Sequence, residues 1–541
     1  MNTRSYIFIF ALIAACLFAN AGFAAPAAGK PPFDDIAGSY AEDAIAALYA
    51  KRIVGGVGDR RFAPERAVTR AEFAAMMLRA LHLDPVGNAI PAFFDVRRGA
   101  WYYGDVHGAV NLGIVGGTGP RTFEPGRPVT RQEAAVIAAR ALRLHGEASG
   151  RTGLSYADAE RIASWAASSV AATAEAGLMQ GYAGKFRPLR TISRAEAAVL
   201  LYRIVEMPGW KAQFAAEPDA GVQLGWLYED ADRQFRNMTI NAVVNTISPR
   251  WFFITATGGT TGQADPALIA LAHEQGKRVW PLVGNRFDRE MTHLVLTDPK
   301  RSETLVRRFA DIVQTYRLDG LNLDFENVDP ADRDAFSSFV RETARALHAH
   351  GAELSVCVPP DLETDWSEPF DYAALAAAAD YIVLMGYEEH WNGSPEPGSV
   401  SSLPWVERHV RKLVRQIPAG QVILGLPFYT RDWSRQNGRT VSEDLTLAEQ
   451  NRRLAEVKPA VRWDETWGQY TAVYNRGGTK HSIWAEDSRS LSLKYMAGAG
   501  FGIGGNAYWH IGGESPDVWA SLGNAIRYGG YDFTRRTAAL R

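Results

Sequence analysis

Cysteine is almost missing from this chain: 541 residues contain two, Cys16 and Cys357. That excludes a disulfide framework, so stability must come from a hydrophobic core, which a chain of this length can build. Charge of either sign is not in excess. The net charge is -2 and no basic run stands out, which removes the electrostatic case for nucleic acid. Long apolar runs are equally scarce, and beyond the first 25 residues none approaches a membrane span. No His/Cys/Asp cluster has metal-ligand spacing and no Gly-rich phosphate loop follows a strand, so neither metal nor cofactor is expected. What remains is an ordinary globular composition, 47% hydrophobic and 22% charged. The 15 Trp and 20 Tyr supply flat ring faces of the kind that stack on sugars, although most such rings serve the core.

Residues 1–25 read as a secretory signal. Arg4 gives the positive start and Tyr6 to Phe18 the apolar run. Ala19-Asn20-Ala21 or Gly22-Phe23-Ala24 offers a small-residue cleavage site. Ile13-Ala14-Ala15-Cys16 also fits a lipoprotein box, with anchoring at Cys16 as a minor alternative, but the apolar residues continuing past Cys16 oppose it. A secreted protein at the bacterial cell surface is expected, with Cys357 its one remaining thiol.

Three segments, 31–85, 91–146 and 154–206, repeat one pattern. Each opens on an aromatic and an Asp (Phe33 with Asp35, Phe93 with Asp95, Tyr156 with Asp158). Each continues through Phe-x-Pro (Phe62, Phe123, Phe186) and, seven residues after the Phe, reaches Thr69, Thr130 or Ser193. The Thr/Ser-x-x-Glu that follows is a capping box, which predicts helices over Phe73 to Leu83, Ala134 to Leu144 and Ala197 to Val205. The box contains Arg70, Arg131 and Arg194. An Arg at a helix amino terminus opposes the macrodipole, so these three call for a separate reason.

The repeats resemble S-layer homology domains, mainly helical units that pack as a three-fold bundle on secondary cell-wall polymers. The resemblance implies that Arg70, Arg131 and Arg194 contact an anionic sugar polymer and that Asp35, Asp95 and Asp158 contribute to the same grooves. For the three Asp, turn or cap formation is an equal alternative.

Residues 207–222 read as a linker that leaves the two parts able to work separately. From 223 to 530, short apolar runs alternate with helical stretches, the pattern of repeated βα units. Strands are predicted at Gln223–Tyr228, Trp251–Thr255, Arg278–Val283, Leu318–Glu326, Glu353–Pro359, Tyr381–Tyr387, Val422–Tyr429 and Phe501–Trp509. Eight such strands define an α/β (β/α)8 barrel. About 70 residues between the last two strands, carrying Trp463, Trp467, Tyr470 and Tyr474, form a small subdomain expected to wall one side of the cleft. Within the fourth strand, Leu321, Leu323 and Phe325 alternate with Asn322, Asp324 and Glu326. Period-two geometry therefore gathers an amide and two carboxyls on one face. Catalytic groups of such barrels sit at the carboxyl ends of strands.

Asp319-Gly320-Leu321-Asn322-Leu323-Asp324-Phe325-Glu326 resembles the Asp-Gly-x-Asp-x-Asp-x-Glu signature of glycoside hydrolase family 18, the chitinase-like family, in its spore-cortex and peptidoglycan N-acetylglucosaminidase branch. Asn322 departs from the usual Asp. Tyr381 to Glu388 resembles the sixth-strand motif, with Glu388 in place of Asp. Glu389-His390-Trp391 and Gly425 to Tyr429 resemble the same branch, and Trp509 ends the eighth strand where the family keeps a Trp. The resemblance implies Glu326 as general acid, Asp324 as the residue that orients and stabilises the sugar's acetamido N–H, and Tyr387 as the holder of its carbonyl oxygen. It places Asn322, Asp319, Met385, Glu388, Trp391 and Trp509 with the substrate, core packing being the alternative for Met385. Only one residue separates Asp324 from Glu326, too few for an independent nucleophile. A substrate-assisted, retaining reaction on an N-acetylated glycan follows. Peptidoglycan is the first substrate expected and chitin-like glycans the second. A non-catalytic glycan-binding or surface-layer protein is the rival class, against which Glu326 argues.

Overall fold

A computed structural model describes residues 31–145, 154–228 and 243–533. The leader with Cys16 lies outside the described residues.

The amino-terminal part is a pseudo-three-fold helical bundle. Each repeat contributes two helices, Glu42–Ala50 and Arg70–Ala80, Tyr103–Asn111 and Arg131–Ala141, Ala167–Glu175 and Arg194–Glu206, and they pack across repeats, the first on the sixth, the second on the third and the fourth on the fifth. All three capping boxes form, at Thr69/Glu72, Thr130/Glu133 and Ser193/Glu196, so each second helix starts three residues before the predicted apolar run. The box Arg residues give the bundle its closure. Arg70 Nε donates to Phe123 O, Arg131 Nε to Phe186 O and Arg194 Nε to Phe62 O, each at 2.8 Å. Each repeat thus ties to the next and the third ties back to the first. Second donors reach Gly116 O, Gln180 O and Gly55 O, and each guanidinium lies over the Phe ring it serves. The reason for an Arg that opposes the helix dipole is therefore inter-repeat bonding.

The barrel consists of β1 (Val222–Leu227), β2 (Thr246–Ile254), β3 (Leu282–Gly284, preceded by the short Arg278–Val279), β4 (Gly320–Asp324), β5 (Glu353–Val358), β6 (Tyr381–Met385), β7 (Val422–Pro427) and β8 (Gly505–Trp509). All neighbours pair in parallel, and β1 bonds to both β2 and β8, so the sheet closes. Most strands end a residue or two from expectation, β4 stopping at Asp324 rather than Glu326, and three differ more. β2 starts five residues early, because Thr246 and Ser248 turn polar groups into a barrel interior that satisfies them. β3 is split by Trp280-Pro281. β8 is shorter, since Phe501 caps the helix Ser488–Gly500. The helix Arg333–His348 lays Phe336 and Phe339 against Phe325, with ring centroids 6.0 Å apart in both pairs, and so holds β4 from outside. Between β7 and β8 lies a five-stranded antiparallel sheet with the helix Leu447–Val457.

The expected linker is no tether. Pro208–Ala215 is helical, and Trp210 and Phe214 from it are buried against Tyr531 and Phe533 near the end of the barrel. The bundle's Asn88 and Asn111 amides bond to each other, and Asn111 Nδ2 donates to Ser521 Oγ of the last barrel helix at 2.9 Å. Asp84 and Asn524 exchange two bonds of 2.7 Å, and Tyr531 and Tyr528 hydroxyls donate to Leu81 O and Arg140 O. A buried seam of apolar and fully bonded polar groups replaces the flexible join: the two parts share a core.

Candidate active site

The period-two reading of β4 holds in space. Leu321, Leu323 and Phe325 are buried on the helix side, while Asn322, Asp324 and Glu326 face the barrel axis. Depth separates their roles. Asn322 is fully buried. Its Oδ1 accepts from Trp226 Nε1 at 2.8 Å, and its Nδ2 donates to Ser355 Oγ at 2.9 Å and to Cys357 Sγ at 3.4 Å. Asp324 and Glu326 lie higher, each with a small opening to the barrel mouth.

Burial raises the Asp324 carboxyl to about 6, against a lowering hydrogen bond from the Cys357 thiol and the charge of Arg250. Glu326 is pushed well above the carboxylate range, first by burial, then by the negative charges of Asp324 and Glu388. Both carboxyls are raised, Glu326 further than Asp324, and two neighbouring carboxyls that titrate apart are the arrangement that can divide acid and stabiliser between them. The Glu326 backbone is clamped from β3: Asn285 Oδ1 accepts from its N–H at 3.1 Å and Asn285 Nδ2 donates to its carbonyl at 2.7 Å.

Tyr387 and Met385 rise from the end of β6 into a cluster with Val400, Tyr429 and Trp509. Trp509 stands edge-on to Trp226 and Tyr228, at 5.7 and 5.6 Å. Glu388 accepts from the Tyr429 hydroxyl and, at 3.0 Å, from Arg431, which also donates to His390 O and pairs with Asp444. The insertion sheet, which supplies Tyr429 and Arg431, therefore does wall the cleft. Trp391 projects from the following loop, 55% exposed.

One expected site residue belongs elsewhere. Asp319 lies at the opposite, amino-terminal end of β4, where it accepts from Val279 N–H and His273 Nε2, both at 2.8 Å. It braces the strand's entry, because six residues, the five of β4 among them, separate it from Glu326. The Arg70, Arg131 and Arg194 guanidiniums are likewise withdrawn from contact with an external polymer, their donors committed to the neighbouring repeat. Asp35, Asp95 and Asp158 each accept two backbone N–H groups of the facing Phe-x-Pro loop, the turn-forming alternative.

Sequence reasoning missed Asn285, Arg250, Arg431 and the rim pair Phe287 and Trp366. These two rings stack 6.4 Å apart on the loops after β3 and β5, flanking the catalytic strand. Asn285 carried a usable signal, a polar residue immediately past an apolar strand of a barrel. The others act through contacts between segments distant in sequence.

A closed parallel barrel with two inward carboxyls gathered at the carboxyl end of its fourth strand is the (β/α)8 architecture with its polar groups at the barrel mouth. Residues 260–514 match the model of glycosyl hydrolases family 18, and residues 32–74, 92–135 and 155–198 match that of the S-layer homology domain. The chain thus carries a family 18 glycosidase domain behind three S-layer homology repeats. It is 27% identical over 321 residues to the uncharacterized glycosylase YvbX of Bacillus subtilis (strain 168), covering 56% of this chain and 91% of that protein. It is 28% identical over 257 residues to the cortical fragment-lytic enzyme of the same organism, covering 44% and 57%. A chitinase from Chromobacterium violaceum is similar in structure, with a TM-score of 0.53 and 27% identity over 57% of this chain and 99% of that one.

Proposed function

We propose that the protein is a cell-wall-bound, retaining hydrolase of β-linked N-acetylglucosamine-containing glycans, with peptidoglycan as its first substrate and chitin-like glycans as its second. Glu326 delivers its proton to the glycosidic oxygen as the bond to the anomeric carbon breaks. The substrate's own 2-acetamido oxygen attacks that carbon and gives an oxazolinium ion. Asp324, anionic, orients the acetamido N–H, and the Tyr387 hydroxyl donates to its carbonyl oxygen. Water then opens the ring as Glu326 takes up a proton, with net retention. The observation that carries this reading is the inward pair Asp324 and Glu326, the second held protonated by burial and by the first. No separate carboxylate faces the pair as a nucleophile among the residues described at the mouth, since Glu388 is occupied by Arg431 and Tyr429.

The S-layer homology repeats associate the chain with the cell surface. An anionic secondary wall polymer is their proposed ligand, held in grooves between repeats that the Arg ties keep in shape. Association with the wall puts peptidoglycan within reach of the cleft, which favours it over chitin. Mass spectrometry of products from purified muropeptides and from chitin oligomers decides the substrate. Proton NMR of the first-formed anomer tests retention, and an inverted first product would overturn the substrate-assisted route.

A further inference from the structure

Strict alternation along β2 would turn every second residue from Ser248 into the barrel, and β2 does not keep it. Ser248 Oγ reaches Asn322 Oδ1 in the interior at 3.4 Å. Arg250 pairs with Leu282, which is level with Asn322, so its side chain leaves the sheet on the same inner face. Past Arg250 the register shifts. Phe252 turns outward, 1% exposed, into the core that holds Leu321 and Leu323. Phe253 then comes level with Gly284 and, through it, with Asp324. Its ring lies over Gly284, where a Cβ would meet it at 3.4 Å. A bulge re-aims the side chains around it, and this one sets Arg250 and Phe253 together on the β2 wall of the mouth.

The Arg250 guanidinium is half-buried between two rings, 4.8 Å from the centroid of Phe253 and 5.0 Å from that of Tyr228. Arg286, exposed on the loop after β3, lies over Phe253 at 3.9 Å. Trp509, Tyr228, Arg250, Phe253 and Arg286 thus form one row along the mouth from β8 to β3. Among the described residues neither Arg250 nor Arg286 has an acidic partner, whereas Arg431 of the insertion is taken by Glu388 and Asp444. Ring contacts fix a guanidinium without using its N–H groups, so the donor fork stays available to a carboxylate. A neutral chitin chain carries no carboxylate. Peptidoglycan does, on the lactyl group of every muramyl sugar or on the peptide attached to it.

We propose that Arg250 and Arg286 bind the acid group of a muramyl sugar next to the cleaved N-acetylated one, and so make the cleft prefer the acidic glycan of the wall over neutral chitin. The role rests on the proposed catalytic reading and extends it to the choice between its two substrates.

The test measures kcat/KM on three glycans of matched length: a peptide-free glycan of alternating N-acetylglucosamine and N-acetylmuramic acid, the same glycan with its peptides, and a chitin oligomer. Arg250 also favours the Asp324 charge, which every substrate needs, so the readout is the muramyl-to-chitin ratio, in which that common effect cancels. The ratio falls about tenfold in Arg250→Gln and in Arg286→Gln, chiefly through KM, and further in the double variant. Arg250→Lys, which keeps the charge and loses the planar fork, falls between. Added salt lowers the wild-type ratio and leaves that of the double variant flat. A fall on the peptide-free glycan names the lactyl carboxylate as the ligand, and a fall on the peptide-bearing one names a carboxylate of the peptide; either supports the proposal. A ratio unchanged in the double variant overturns it. Calorimetric binding to the Glu326→Gln protein separates recognition from chemistry. The muramyl glycan binds about tenfold more tightly than the chitin oligomer, and adding Arg250→Gln removes the difference. Equal affinities in Glu326→Gln itself also overturn the proposal. Absence of wild-type turnover on all three glycans would sink the catalytic reading instead, and the binding comparison would still decide the anion site.

Discussion

Asp324→Asn should make this protein more stable and nearly inactive, and the size of the first effect follows from the site. The carboxyl is raised from 3.8 to about 6 because protein surrounds it and compensates its charge incompletely. In the folded state it holds its proton more tightly than in the unfolded chain. Well below pH 3.8 it is protonated in both states and costs nothing. As the pH climbs past 3.8 the unfolded chain ionises first, and above about 6 the full penalty is in place, about 3 kcal/mol. Asn cannot ionise and so avoids it. Guanidinium unfolding at pH 7.5 should show the variant more stable by up to that amount, whereas at about pH 2.5, well below 3.8, the two proteins should coincide. On the activity side the acidic limb should vanish. The basic limb, set by Glu326, should move to lower pH because one of the charges that raises Glu326 is gone. A variant no more stable than wild type at pH 7.5, or one stabilised equally at both pH values, would show that Asp324 is not a buried anion held at an energetic cost.

Glu326→Gln keeps the shape of the acid but has no proton to give, so turnover should fall about 100- to 10,000-fold while binding to an N-acetylated glycan persists; near-normal turnover would remove the acid assignment. Arg131→Ala strips Phe186 O and Gln180 O of their donors and should cost the bundle about 2–4 kcal/mol, read by denaturant unfolding, with Arg131→Lys a poor substitute because an ammonium cannot span both carbonyls. Trp210→Ala opens a cavity at the seam and should destabilise by about 3–5 kcal/mol. The loss should appear in one transition shared by both parts, and two separate transitions would contradict the common core.

Periodicity carried the fold well where a segment has one dominant face. The alternation of β4 put Asn322, Asp324 and Glu326 on one face, and the capping boxes marked three helix amino termini, although the helices begin three residues before the apolar runs predicted for them. It did less well where identity depends on partners. Asp319 belongs to the same motif as Glu326, but a motif is a string and does not say which end of a strand reaches the mouth. Thr246 and Ser248 fell outside the predicted second strand because their satisfaction comes from inside the barrel. The three Arg residues were correctly flagged as unexplained by their own helices; their explanation lay about 50 residues away, or about 130 for Arg194, in the loop of the neighbouring repeat. The join at 207–222 misled for a related reason. Its Pro and Gly suggested a break, and only the packing of Trp210 on Phe533 shows that it is a fitted wedge.

That wedge fixes what the enzyme can reach. A catalytic module on a loose leash sweeps a volume and can work on any strand inside its radius. Here the cleft is held by the seam at one height and one bearing relative to the surface that carries the repeats. Such a tool cuts like a plane set in its stock: only material presented at the blade is removed, and coverage of the wall comes from the number of copies and their spacing. Under the proposed wall-directed function, catalysis on a soluble glycan and catalysis on an intact sacculus then become separate quantities, the second limited by how the polymer layer is laid out around each molecule.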